Sequence, residues 1–95
     1  MFNDDLLILI EFLQKIQGYK IPNINLCYKD NEIRLEWHTK KTGVLSVIFD
    51  LDNRVMYYGA YLLENNKSIK DSITIVGLID NPKKINKLKK IISLF

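Results

Sequence analysis

Few side chains in this sequence could do chemistry, and the first to weigh are His38, Cys27 and the carboxylates Glu32, Glu36 and Asp50. A nucleophilic pair needs a thiol or hydroxyl within hydrogen-bond reach of a base, and a metal site needs three or four ligands at recognisable spacing. His38 is the single histidine and Cys27 the single cysteine, so each could serve the other only if the fold brought them together. The pairing expected for residues 24–38 sets Cys27 opposite Arg34, four strand positions from His38, which is too far for a dyad. Pairing of the next strand, Leu45 to Phe49, with Trp37 to Ile33 puts Glu32 opposite Asp50, and two adjacent carboxylates can share a proton or hold a divalent cation. Arg34 stands beside them to neutralise their charge instead. The four glycines, Gly18, Gly43, Gly59 and Gly77, are too scattered for a phosphate-cradling loop. The residues therefore predict no enzyme, no metal and no cofactor.

Charge and aromatic residues offer the other two kinds of site. Five of the fourteen basic residues, Lys83, Lys84, Lys87, Lys89 and Lys90, sit in the last fifteen positions, which hold no acid. The net charge of +3 is thus a local property of the C-terminus, and a lysine stripe of this kind can neutralise phosphates. Nucleic-acid binding through these five lysines is the alternative function. The leading one is protein binding, drawn from aromatics and aliphatics in excess of what one core needs: Tyr57 and Tyr61 on or near an outer sheet face, and Leu7 and Ile8 on the first helix. Aromatic side chains are enriched at interface anchors.

The elements that position these residues are legible from periodicity. Asn3 reads as a helix N-cap with Asp4 and Asp5 at the positive end of the dipole and Gly18 as the stop. A spacing of 100° per residue collects Leu6, Leu9, Ile10, Leu13 and Ile16 on one face, with Phe12 at its edge. From Ile24 the period becomes two. Asp30-Asn31 reads as a two-residue turn that pairs Tyr28 with Ile33, Leu26 with Leu35 and Ile24 with Trp37. Leu45, Val47 and Phe49 follow, opposite Trp37, Leu35 and Ile33. A two-residue turn at Asp52-Asn53 then places Phe49, Met56 and Tyr58 inside with Val55 and Tyr57 outside; a bulge there would reverse the tyrosines. Residues 64 to 71 read as a turn or loop, and Ile73 to Val76 as a short fifth strand. Asn81 caps a final helix, with Pro82 in its first turn and Ile85, Leu88, Ile91, Ile92 and Phe95 on its apolar face.

The run Leu35-Glu36-Trp37, then Leu45-Ser46-Val47 with Phe49 and Asp52, then Val55 and Tyr57-Tyr58-Gly59 ahead of a closing helix, resembles a loose pattern in small uncharacterised bacterial and phage proteins. In size and in its lack of chemistry the chain is also similar to inhibitors carried by mobile elements, such as anti-CRISPR proteins and antitoxins. That resemblance implies a partner protein, in particular a nucleic-acid-handling machine whose site the inhibitor occludes.

The expected architecture is a single α+β domain over residues 1–95. It has an N-terminal helix, a four- to five-stranded antiparallel meander and a C-terminal helix, in two layers with both helices on one face. A composition of 47% hydrophobic and 26% charged residues suits a folded domain of this length. A lone cysteine in so small a domain points to the cytoplasm. The acidic start and the short run from Leu6 to Ile10 point away from export and from the membrane. The strand from Val55 to Tyr61 would be the edge for self-association unless Ile73 to Val76 covers it, which leaves a monomer or a homodimer.

Overall fold

The computed structural model describes residues 3–63 and 72–95. The expected loop at 64–71 lies outside the described residues. In chain order the elements are α1 (Asn3–Lys15), β1 (Asn23–Cys27), β2 (Glu32–Thr39), β3 (Gly43–Asp50), β4 (Val55–Leu63), β5 (Ser72–Leu78) and α2 (Pro82–Ile92). The strands form one antiparallel sheet in the order β1-β2-β3-β4-β5, the α+β meander expected from the alternation.

Period-two patterning fixes the two faces of the sheet. Ile33, Leu35 and Trp37 on β2, Leu45, Val47 and Phe49 on β3, and Tyr58 and Ala60 on β4 are buried. They join Leu9 and Phe12 of α1, Ile16 just after it, and Leu88, Ile91 and Ile92 of α2 in one hydrophobic cluster. Both helices therefore lie on the same side of the sheet. Phe12 meets Phe49 edge-to-face, with ring centroids 5.4 Å apart. Trp37 donates from Nε1 to the Lys20 carbonyl at 2.7 Å, which ties the connection after α1 to the sheet.

The β2–β3 and β3–β4 registers are those expected, with Trp37 opposite Leu45, Glu32 opposite Asp50, and Phe49 opposite Met56. Met56 and Tyr58 face the helices, and Val55 and Tyr57 lie on the other face. The β1–β2 register differs from expectation by two residues: Leu26 pairs with Ile33, Ile24 with Leu35, and Cys27 with Glu32. The reason is the loop, which takes four residues, Tyr28 to Asn31, with Asn31 in the left-handed region at φ 48°. Asn31 N–H donates back to the Tyr28 carbonyl at 3.3 Å, closing a turn around Lys29 and Asp30. A slip of two preserves which face each side chain occupies, so the hydrophobic pattern alone does not detect it.

Two further expectations are corrected, both for the first helix. On α1 the inward stripe is Leu9 and Phe12, continued by Ile16 just past the helix end, whereas Ile10 is 50% exposed. Phe12 sits at the centre of the face because its ring packs against Phe49. The helix also takes in Asn3 itself, one position earlier than a cap at Asn3 would give. Gly18, at φ 93°, supplies the left-handed residue that turns the chain after α1. Along β4 no free edge remains, because β5 runs the whole stretch from Ser72 to Leu78 against Leu63 to Tyr57. The sheet edges are β1 and β5.

α2 begins as the sequence predicts. Asn81 has extended dihedrals and its side chain accepts the Lys84 amide at 3.1 Å, with Pro82 in the first turn. Among the described residues no helix is long and apolar enough to cross a membrane.

Candidate protein-binding face

With both helices on one side, the other face of the sheet is covered by no described element and divides across its width. Toward β1 it is polar. Asn25, Arg34, Glu36 and His38 are exposed there, and Glu32 is held close to the sheet by Arg34. Arg34 donates from Nε to Glu32 Oε1 at 2.7 Å, and its Nη2 lies 2.6 Å from the same oxygen. That hydrogen bond first, and the carboxylate's charge second, raise the guanidinium above its ordinary pKa. Asp50, across from Glu32, is engaged elsewhere. Its carboxylate accepts the Asn53 backbone N–H at 3.2 Å and the Asn53 side-chain amide at 2.8 Å, which lowers its pKa.

Cys27 sits opposite Glu32 and His38 six positions further along β2, a separation of roughly 20 Å at strand spacing. The fold thus places the two nucleophile candidates at opposite ends of a strand, farther apart than the expected register implied. Among the described residues no three of the His, Cys, Asp and Glu side chains converge in a metal-binding group.

Toward β5 the open face is apolar, and the register lays its side chains in rows. Ile48 pairs with Tyr57, and Tyr57 with Leu78; Val44 pairs with Tyr61; Ser46, Gly59 and Val76 form the row between. Tyr57 and Tyr61 are half-buried among these neighbours, so each holds a defined position. Gly59 stands between them on the same strand, and a Cβ placed there would meet nothing within 4 Å. The result is a shallow depression flanked by two tyrosine rings. Val76 and Leu78 on the outermost strand are 73% and 51% exposed.

The four partner-binding residues expected from sequence do not form one surface. Tyr57 and Tyr61 share the open face. Leu7 is exposed on α1, in the opposite layer, and Ile8 faces inward to line a cavity of about 170 Å³ with Phe49, Leu51 and Met56. Ile8 is therefore a packing residue. Sequence reasoning missed Val76 and Leu78. Their signal was the alternation of Ile73, Ile75, Gly77 and Ile79 with Thr74, Val76 and Leu78, which continues past the four residues assigned to the strand.

The five C-terminal lysines are also divided by the fold. Lys83, Lys84 and Lys87 border a groove between α2 and β5 of about 320 Å³, whose floor includes Tyr58, Val76 and Gly77. Lys89 borders a separate groove toward Lys15 of α1, and Lys90 is exposed. Comparison with protein-family models, curated proteins and solved structures finds no match.

Proposed function

We propose that this protein is a small non-catalytic module that binds another protein through the β3–β5 half of its open sheet face. Tyr57 and Tyr61 serve as the anchors. The observation carrying this reading is the row of Ile48, Tyr57 and Leu78, set beside the Gly59 depression and continued by Val76, on a face that no described element covers. An apolar surface concentrated on one part of a small domain, with rigid aromatics and a polar flank, has the composition of an interface core with its rim. The resemblance to mobile-element inhibitors adds the class of partner: a nucleic-acid-handling machine of the cytoplasm, occluded by the docked domain.

Capture from a host lysate tests the reading. The wild type is expected to retain a specific protein, and the Tyr57→Ala, Tyr61→Ala variant to lose it, because truncating an interface anchor costs about 2 kcal/mol or more. Equal retention by a folded double variant would contradict it.

Direct nucleic-acid binding is the second reading, supported by the exposed Lys83, Lys87 and Lys90 on one helix face. Lysines at phosphates make affinity fall with salt, with a slope near −0.9 on duplex DNA for each contact. Binding to unrelated duplexes that vanishes when Lys83, Lys87 and Lys90 become glutamate would favour this reading over the first.

A further inference from the structure

We propose that β5 accepts an extended, acidic segment of the partner protein as a sixth strand, a mode of binding that rests on the protein-binding reading above. The backbone supplies the first argument. Ile79 N–H donates to the Met56 carbonyl at 2.8 Å, so Met56 and Ile79 form a hydrogen-bonded pair of the β4–β5 ladder. Bonded and non-bonded pairs alternate in antiparallel sheets, which makes Tyr58–Gly77 bonded, and Tyr57–Leu78 and Gly59–Val76 non-bonded. The N–H and C=O groups of Val76 and Leu78 therefore point away from β4, toward the free edge. Val76-Gly77-Leu78 carries no charge and no proline, and the β4–β5 pairing runs without a bulge, so none of the usual devices blunts this edge.

The two sides of that edge differ in chemistry. On the open face an added strand would extend the apolar rows ending at Val76 and Leu78. On the helix side its alternate side chains would enter the groove bordered by Lys83, Lys84 and Lys87. Lys84 has Asp80 as a partner at 3.7 Å, while Lys83 and Lys87 have no acidic partner among the described residues. Tyr58 crosses beneath Gly77, close enough that a Cβ on Gly77 would lie 2.9 Å from its ring. The Tyr58 side chain is only 2% exposed and its ring lines the groove. Two ammonium groups without an acidic partner, bordering one groove, are matched by carboxylates. The complementary segment alternates apolar and acidic residues.

The same charges argue against a second copy of this chain in that place. Antiparallel pairing of β5 with another β5 would bring two lysine-bordered grooves to one edge, and residues 81–95 offer no acid to offset them.

The test is an amide-shift titration of the full-length, ¹⁵N-labelled protein at low salt. The probe is a capped eight-residue peptide alternating valine and glutamate, with a valine–lysine peptide as control. The acidic peptide is expected to shift the amides of Val76, Gly77 and Leu78 together with those of residues 83–87, and the basic peptide to shift none. The Lys83→Glu, Lys87→Glu variant should lose about tenfold in affinity for the acidic peptide and gain binding of the basic one. Val76→Pro, which removes an edge donor without disturbing the β4 ladder, should abolish the shifts while the dispersed spectrum remains. Shifts confined to α2, equal response to both peptides, or no response would overturn the proposal. Lysate capture that depends on Tyr57 and Tyr61 would still stand in that case, so the two readings fail separately.

Discussion

At the scale of single residues, the molecule is held by a few polar contacts whose removal has calculable consequences. Trp37 is 1% exposed and gives its only donor to the Lys20 carbonyl. Trp37→Phe loses that bond and leaves part of the ring's volume empty, for an expected cost of about 2 kcal/mol. Urea unfolding checks this through a lower midpoint at unchanged slope. Asp50 offers a pH test. The side-chain amide of Asn53, then its backbone N–H, lower the carboxyl pKa. Because the folded group releases its proton more readily than the unfolded one, its contribution to stability is complete above the ordinary carboxylate range. It is lost as pH falls through the lowered value. Asn53→Ala is expected to move the Asp50 titration back up toward the ordinary range, observed by carboxyl-carbon NMR; an unmoved titration would contradict the assignment. The chemistry of this scale was legible in part: Arg34 beside Glu32 follows from residue type and strand alternation. The Asn53 contacts do not, because they depend on how the β3–β4 turn closes.

At the scale of elements, two turns at the same end of the sheet are built alike. Asn31 and Arg54 each end a four-residue connection in the left-handed region, at φ 48° and 52°. Asn31 also links the two turns, donating from its side chain to Asp52 at 2.7 Å and accepting the Leu51 amide at 3.1 Å. Asparagine tolerates this conformation, whereas arginine pays a steric cost there. Arg54→Gly is expected to raise stability by about 0.5–1 kcal/mol, and a fall in the thermal midpoint would contradict that. Phe12→Ala removes the ring that joins α1 to Phe49 and should cost about 3–5 kcal/mol, enough to lower the melting temperature by tens of degrees in a domain this small. These turns and this ring mark the limit of sequence reading. The strands, their order and their buried faces follow from alternation, and α2 from its cap and apolar stripe. The β1–β2 register escaped because a two-residue and a four-residue turn give the same facing. The α1 stripe escaped because Phe12, at the edge of the helical wheel, is drawn inward by a partner distant in sequence. Gly43 stood out in the sequence only as one of four scattered glycines; at φ 117°, with the Tyr61 carbonyl where a Cβ would be, it must be glycine.

At the scale of the whole molecule, one face of the sheet is spent on the core and the other divides into a polar half and an apolar half that ends at an open edge. β5 covers β4, and like charge beside β5 opposes pairing between copies. The chain is accordingly expected to sediment and scatter light as a monomer of 11.2 kDa across the micromolar range. A mass of two chains at low salt would contradict this. The proposed role depends on where a partner is held, and amide hydrogen exchange reads that position. The decisive comparison is of exchange in the isolated protein and in the complex recovered from lysate. Val76 and Leu78, whose amides point away from β4, should exchange rapidly alone and become protected by about tenfold or more in the complex. Protection confined to α1 or to β1, with Val76 and Leu78 unchanged, would contradict binding through this face.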